Sequence, residues 1–265
     1  MTHKRQSVSP VLTAIAVAGL LVVLLPLLAL LTRVPWQNLF TELSSESSIN
    51  ALKVSVTSSL LAAAIALVLG VPLAWYLARG PKRVTRFVRP VVISPLVMPP
   101  TVAGLALLTL MGRNGLIGKL IYEQTNWAMP FTWTAVVFAG VFVGMPFLVL
   151  VVESAFRQVP VEVEETAQTL GANPNKVFWR ISVPLARGGI TSGLVLAWAR
   201  ALGEFGATLT FAGSMPGVTR TLPMEVYNAF EVDPQAAYSI SALLVLVAIT
   251  VVYLLKSKLI QAFAG

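Results

Sequence analysis

Six apolar runs, near 11–31, 54–78, 90–111, 132–152, 187–211 and 238–255, dominate the 265-residue chain. Each approaches the roughly 20 residues that a helix needs to cross a bilayer's hydrocarbon core. Backbone in lipid must satisfy its own hydrogen bonds, which leaves helices as the structure for runs of this length. Only 11% of the residues are charged, whereas soluble domains carry roughly 25%. The expectation is an all-α membrane protein with six transmembrane helices in a single domain, 1–265. The first run follows Lys4 and Arg5, as a signal peptide would. At about 21 residues it is too long for that role, and no small-residue cleavage site precedes Arg33 and Pro35, so it is expected to remain as an anchor.

The basic residues fix an expected orientation. With the N-terminus inside, the inner segments hold thirteen lysines and arginines, from Lys4, Arg5 and Arg79 through Arg89, Arg157 and Lys176 to Lys256 and Lys258. The outer segments hold five: Arg33, Lys53, Arg113, Lys119 and Arg220. The positive-inside rule then makes both termini cytoplasmic and the 153–186 loop the longest cytoplasmic segment. The net charge of +8 is thus a topology signal, and no nucleic-acid partner is expected. The chain has no cysteine, one histidine (His3) and one aspartate (Asp233). No histidine triad, HExxH site or aspartate dyad is possible, so neither catalytic nor metal-ligating residues are expected. Nor is there a P-loop: the string from Gly115 to Leu120 has the wrong glycine spacing and no Ser or Thr after Lys119.

Within the long loop, Glu165 to Pro184 forms a polar island that reads as two short helices meeting at a sharp turn. Pro160 suits a helix start, with Glu162, Glu164 and Glu165 near its positive end. Val163, Ala167 and Leu170 share one face, and Gly171 is expected to provide a left-handed C-cap. Asn173 is the expected N-cap of the second helix and Pro174 its first residue, with Val177, Phe178 and Ile181 on the apolar side. Such a knuckle is suited to pressing on something outside the membrane.

Two runs are irregular. The third carries Pro90, Pro95, Pro99, Pro100, Thr101 and Gly104. Internal prolines remove helical hydrogen bonds, and the freed carbonyls belong inside protein or beside a wet cavity. Either a bent pathway-lining helix or a kinked packing helix fits. The fifth run carries Arg200 and Glu204, spaced i, i+4 so that they share a helix face. One reading has Arg200 assisting an anion; the other is a structural pair. Outside the membrane, Pro35–Leu43 suits a short interfacial helix with Trp36, Leu39, Phe40 and Leu43 on one face, and Leu222–Phe230 suits another short amphipathic element.

The string Glu165-Thr166-Ala167, three residues, Gly171, nine residues, Ile181-Ser182-Val183-Pro184 resembles the EAA loop of bacterial ABC importer permeases. Two positions depart from that pattern: Thr166 stands for alanine and Val183 for leucine. Ser94–Leu108, Gly112–Gly118 and Ala199–Tyr227 are similar to molybdate permeases, and more loosely to sulfate permeases. The resemblance covers nearly the whole chain. It implies a type I ABC importer permease fold in the bacterial cytoplasmic membrane, working as a homodimer with two ATPase subunits and an external oxyanion-binding protein. The ATPase, which carries ATP and Mg, would dock on Glu165, Thr166, Ala167, Gly171, Ile181 and Pro184. Spans three and five, with Pro99, Pro100, Thr101 and Gly104, would line and gate the path. The chain itself would need no cofactor. Sulfate, thiosulfate or tungstate transport is a further reading within this class. An ion- or proton-coupled transporter using Glu204 is the alternative outside it.

Overall fold

The computed structural model describes residues 9–263, so His3, Lys4 and Arg5 of the sequence reading lie outside the described residues. In chain order the helices are α1 (Pro10–Thr32), α2 (Leu39–Leu43), α3 (Glu46–Arg79), α4 (Lys82–Ile93), α5 (Pro100–Met111), α6 (Gly118–Thr125) and α7 (Trp133–Gln158). They continue as α8 (Val161–Thr169), α9 (Pro174–Val177), α10 (Val183–Leu185), α11 (Arg187–Leu202), α12 (Gly206–Ala212), α13 (Leu222–Val232) and α14 (Pro234–Phe263).

The longest helices carry their own start signals. Ser45 caps α3, its hydroxyl accepting the Ser48 N–H, with Glu46 in the first turn. Thr132 caps α7 in the same way through the Ala135 N–H. These caps extend α3 eight residues upstream of the apolar run that begins near 54, while α7 continues to Gln158. The long loop is therefore shorter than expected: 153–158 is helix.

By length and composition, α1, α3 and α7 are each apolar enough to cross a membrane. The third and fifth runs are not single rods. The segments Lys82–Leu96 and Pro100–Met111 meet at 116°, and the fifth run breaks at 203–205 between α11 and α12. The sixth run lies within α14. The prolines explain the first break, since Pro99 and Pro100 cannot donate to the preceding turn.

The centre of the molecule is a layer of α3, α7 and α11. Helices in lipid gain little from hydrophobic exclusion and associate by close packing of small residues, with polar groups as links. A Cβ at Gly140 would lie 2.9 Å from Ala62 Cβ, and one at Gly144 would lie 2.8 Å from the Ala197 carbonyl. Ser59 accepts the Trp198 indole N–H at 3.0 Å, and Ser55 accepts the Leu222 backbone N–H at 2.7 Å. Ala51, Leu222 and Ile240 form a small core at the end of the layer near α13. At the opposite end Leu77, Leu148, Val152, Phe156 and Phe178 form the largest core. By contrast α1 is apolar on every side and buries none of its residues. The expected interfacial helix is reduced to α2. Trp36, Leu39 and Leu43 line a groove with α14, while Phe40 points away, 84% exposed.

Candidate functional site: a clasped knuckle and a pair of broken helices

The knuckle forms as its local chemistry dictates. At the end of α8, Gly171 has φ +88°, its N–H donates to Gln168 O, and Ala172 N–H donates to Ala167 O. These paired bonds define a Schellman turn, which glycine enters without a Cβ penalty. Asn173 then caps α9, its side chain accepting the Lys176 N–H at 2.8 Å, and Pro174 opens the helix. The chain widens into a π-turn at Phe178–Ser182 before α10, which accommodates Pro184. Phe178 is buried, packing edge-on to Trp75 at 5.3 Å and tilted to Phe156 at 6.2 Å.

The acidic residues of α8 divide sharply. Glu162 and Glu165 are exposed, whereas Glu164 is 5% exposed and bound on both oxygens. Arg79, at the end of α3, donates to Glu164 Oε2 at 2.7 Å, and the Ser182 hydroxyl donates to Oε1 at 2.7 Å. The same guanidinium donates to the Phe156 and Val159 carbonyls, both at 2.8 Å, satisfying the C-terminal end of α7. A buried ion pair is stabilising only when its other hydrogen-bonding capacity is met, and here both Glu164 oxygens and the Arg79 Nε and Nη2 groups are engaged. Arg79 and Glu164 together thus tie α3, α7 and both arms of the knuckle. Beside it, Glu153 takes Arg89 from α4 and Arg157 from its own helix.

The apolar face of α8 points outward. Val163 is 43% exposed and Leu170 84%, with Trp179 beyond the turn also exposed. Glu165 and Thr166 lie on the same open surface, Ala167 and Ile181 are half-buried, and Pro184 is exposed. The knuckle is thus fixed from beneath and leaves apolar side chains exposed on its free side. The joining of Arg79, Glu164 and Ser182 escaped the sequence reading, although an arginine ending an apolar helix beside Gly80-Pro81 is a visible signal.

The two irregular runs come together. A Cβ on Gly104 would lie 2.5 Å from Thr210 Cβ and 2.8 Å from the Ala207 carbonyl, and one on Gly206 would lie 2.5 Å from Pro100 Cβ. The half-helices α5 and α12 therefore touch backbone to backbone, with Ala103 and Ala207 buried against Val143 of α7. Pro99 stands at the N-cap of α5, Pro100 is its first residue, and Thr101 is exposed. Arg200 and Glu204 do pair, but not on one continuous helix face. Arg200 lies in the last turn of α11, Gly203 caps that helix, and Glu204 follows in the break. The carboxylate, 3% exposed, turns to accept the Ala207 N–H at 2.8 Å, serving the first turn of α12. Glu204 is thus a hinge pin between two half-helices as well as an ion-pair partner.

Comparisons with known proteins agree with this anatomy. Residues 66–263 match the family described as binding-protein-dependent transport system inner membrane component. The chain is 47% identical over 237 residues to a molybdenum transport system permease protein of Mycobacterium tuberculosis, covering 89% of each. It is 39% identical over 171 residues to a sulfate transport system permease protein of Synechococcus elongatus, covering 64% of this chain and 59% of that one. Among solved structures, a chain of a bacterial alginate ABC transporter in complex with its alginate-bound periplasmic protein matches with TM-score 0.72 at 16% identity, covering 92% of both chains. This last likeness establishes the fold. The chain belongs to the inner-membrane permease components of binding-protein-dependent ABC transport systems, as a multi-pass, non-catalytic membrane subunit.

Proposed function

We propose that this chain is the permease subunit of an importer that moves molybdate into the cell, driven by ATP hydrolysis on a separate subunit. The clasped knuckle carries this reading. Energy has to arrive mechanically, and the knuckle joins an exposed apolar docking surface to the ends of α3 and α7 through Arg79, Glu164 and Ser182. A rotation of the docked ATPase would turn these helices as a body and bias the α5–α12 contact between two states. ATP and Mg reside on the ATPase. An external oxyanion-binding protein delivers substrate at the opposite end, and two copies of the chain enclose the path.

The distribution of charges supports six crossings with both termini cytoplasmic. Arg79, Arg89, Arg157 and the knuckle gather at one end of the central layer, while the Ser55–Leu222 contact closes the other. Molybdate is favoured over sulfate by the longer and closer likeness to molybdenum permeases. Transport coupled to a proton on Glu204 is disfavoured by its ion pair with Arg200, which a proton would break. The test is uptake by proteoliposomes containing the complete importer. Uptake should require ATP, resist uncouplers and be competed by molybdate or tungstate more strongly than by sulfate. Uncoupler-sensitive uptake without ATP would refute the reading.

A further inference from the structure

α4 is a polarised helix with three distinct sides. Thr85, Val88 and Val92 face the body of the protein, with Thr85 buried and both valines packed on the large core. Val84, Phe87 and Val91, at i, i+3 and i+7, are 43%, 76% and 71% exposed. Lys82, Arg86 and Arg89, at i, i+4 and i+7, line a cleft of about 420 Å³ completed by Thr85, Pro90 and Arg157. Arg89 and Arg157 share Glu153, which is the one carboxylate bound to this group. Among the described residues neither Lys82 nor Arg86 has a carboxylate partner, and α4 carries no acidic residue. Four cations facing one carboxylate leave the cleft strongly positive.

The geometry points to α4 as an in-plane helix that binds anionic phospholipid, its basic cleft taking the headgroup phosphate. This rests on the orientation proposed above, which puts the helix at the cytoplasmic leaflet. The segment containing α4 is bent by 116° from α5, so with α5 directed along the membrane normal α4 lies near the membrane plane. A helix with aromatic and aliphatic residues on one side and arginine and lysine on the other settles into the interface, its apolar side among the upper acyl carbons. The opposite side then stands at the level of the phosphates, within reach of long basic side chains. Basic pockets between membrane helices on the cytoplasmic side recognise acidic headgroups by the same electrostatics. Free phosphate would satisfy the cleft alone; the exposed Val84–Phe87–Val91 stripe selects an occupant that also brings hydrocarbon. Because Arg89 and Arg157 are anchored through Glu153 to α7, bound lipid would brace the segment that leads into α5.

The test uses the assembled importer extracted from vesicles of equal phosphatidylglycerol and phosphatidylcholine content, with retained lipid measured by native mass spectrometry. The wild-type complex should retain phosphatidylglycerol selectively, and millimolar inorganic phosphate should not displace it. The Lys82→Gln/Arg86→Gln double variant should lower that retention roughly tenfold, leaving ATPase copurification intact. Phe87→Ser should weaken retention while the basic cleft stays whole. Equal retention of the two lipids, or unchanged retention in the double variant, would overturn the proposal. Displacement by inorganic phosphate would reassign the cleft to a soluble anion, and loss of ATPase from the double variant would reassign it to a protein partner. ATP-driven uptake, read separately, distinguishes failure of this proposal from failure of the permease reading.

Discussion

The knuckle and the α5–α12 contact are built on opposite plans. The knuckle has a polar clasp on its inner side, beside buried Phe178, and leaves apolar side chains on its outer side. Glu164, Arg79 and Ser182 lock its inner side, while Val163, Leu170 and Trp179 are left exposed. The α5–α12 contact is held by the absence of side chains, at Gly104 and Gly206, between helices that are each interrupted. A charge clasp resists rotation of its parts, so the knuckle is suited to transmit force. Small residues at a contact between half-helices impose no interdigitated lock, so that region is suited to yield. The proposed coupling of ATP-driven motion to opening needs one of each.

The first way to break this contrast is at the clasp. Arg79→Ala strands the Glu164 carboxylate and two α7 carbonyls, and should cost about 3–5 kcal/mol, the range for losing one partner of a buried pair. Thermal unfolding of the detergent-solubilised complex measures it. Substrate-stimulated ATP hydrolysis should fall further than basal hydrolysis if the clasp transmits motion. Next is Gly104→Val, which forces branched carbon into Thr210 and the Ala207 carbonyl; overpacking of this kind costs about 1–3 kcal/mol. Here the ATPase should copurify normally while uptake is lost, the reverse of a docking defect.

Gly171→Val separates turn geometry from packing, because a Cβ there meets nothing within 4 Å while φ stays at +88°. The strain is about 1–3 kcal/mol for a residue held in the left-handed region. Confined to an exposed turn, it should weaken ATPase copurification while membrane insertion is unchanged. The smallest effect is expected of Glu204→Gln. The amide oxygen can still accept the Ala207 N–H, so much of the transport should survive if Glu204 is a hinge pin. A full Arg200–Glu204 exchange should be far worse, because an arginine at 204 accepts nothing. Equal damage from both changes would favour a pathway role for the charge itself.

Local chemistry explains how much of this was legible in advance. The Gly171 turn and the Asn173 cap are satisfied within a few residues, so their sequence is enough. The break before α5 was equally visible, since Pro99 and Pro100 interrupt hydrogen bonding in any context. The break at Gly203–Phe205 was not. Ala-Leu-Gly-Glu-Phe-Gly suits a continuing membrane helix, and only contact with Pro100 at Gly206 and the turn of Glu204 onto Ala207 makes it a hinge. The resemblance to the EAA loop singled out Glu165, while nothing in the sequence separated Glu162 from Glu164. Burial beneath Arg79, 85 residues away, distinguishes Glu164.

The sequence alone determined that the chain lives in a membrane, where the knuckle turns and where α5 begins, because hydropathy, capping and proline act over single segments. Tertiary structure decided which polar residues hold the machine together. An ion pair in a low-dielectric interior depends on what is brought opposite it, and no spacing along the chain encodes Arg79 lying against Glu164 or α5 pressing on α12.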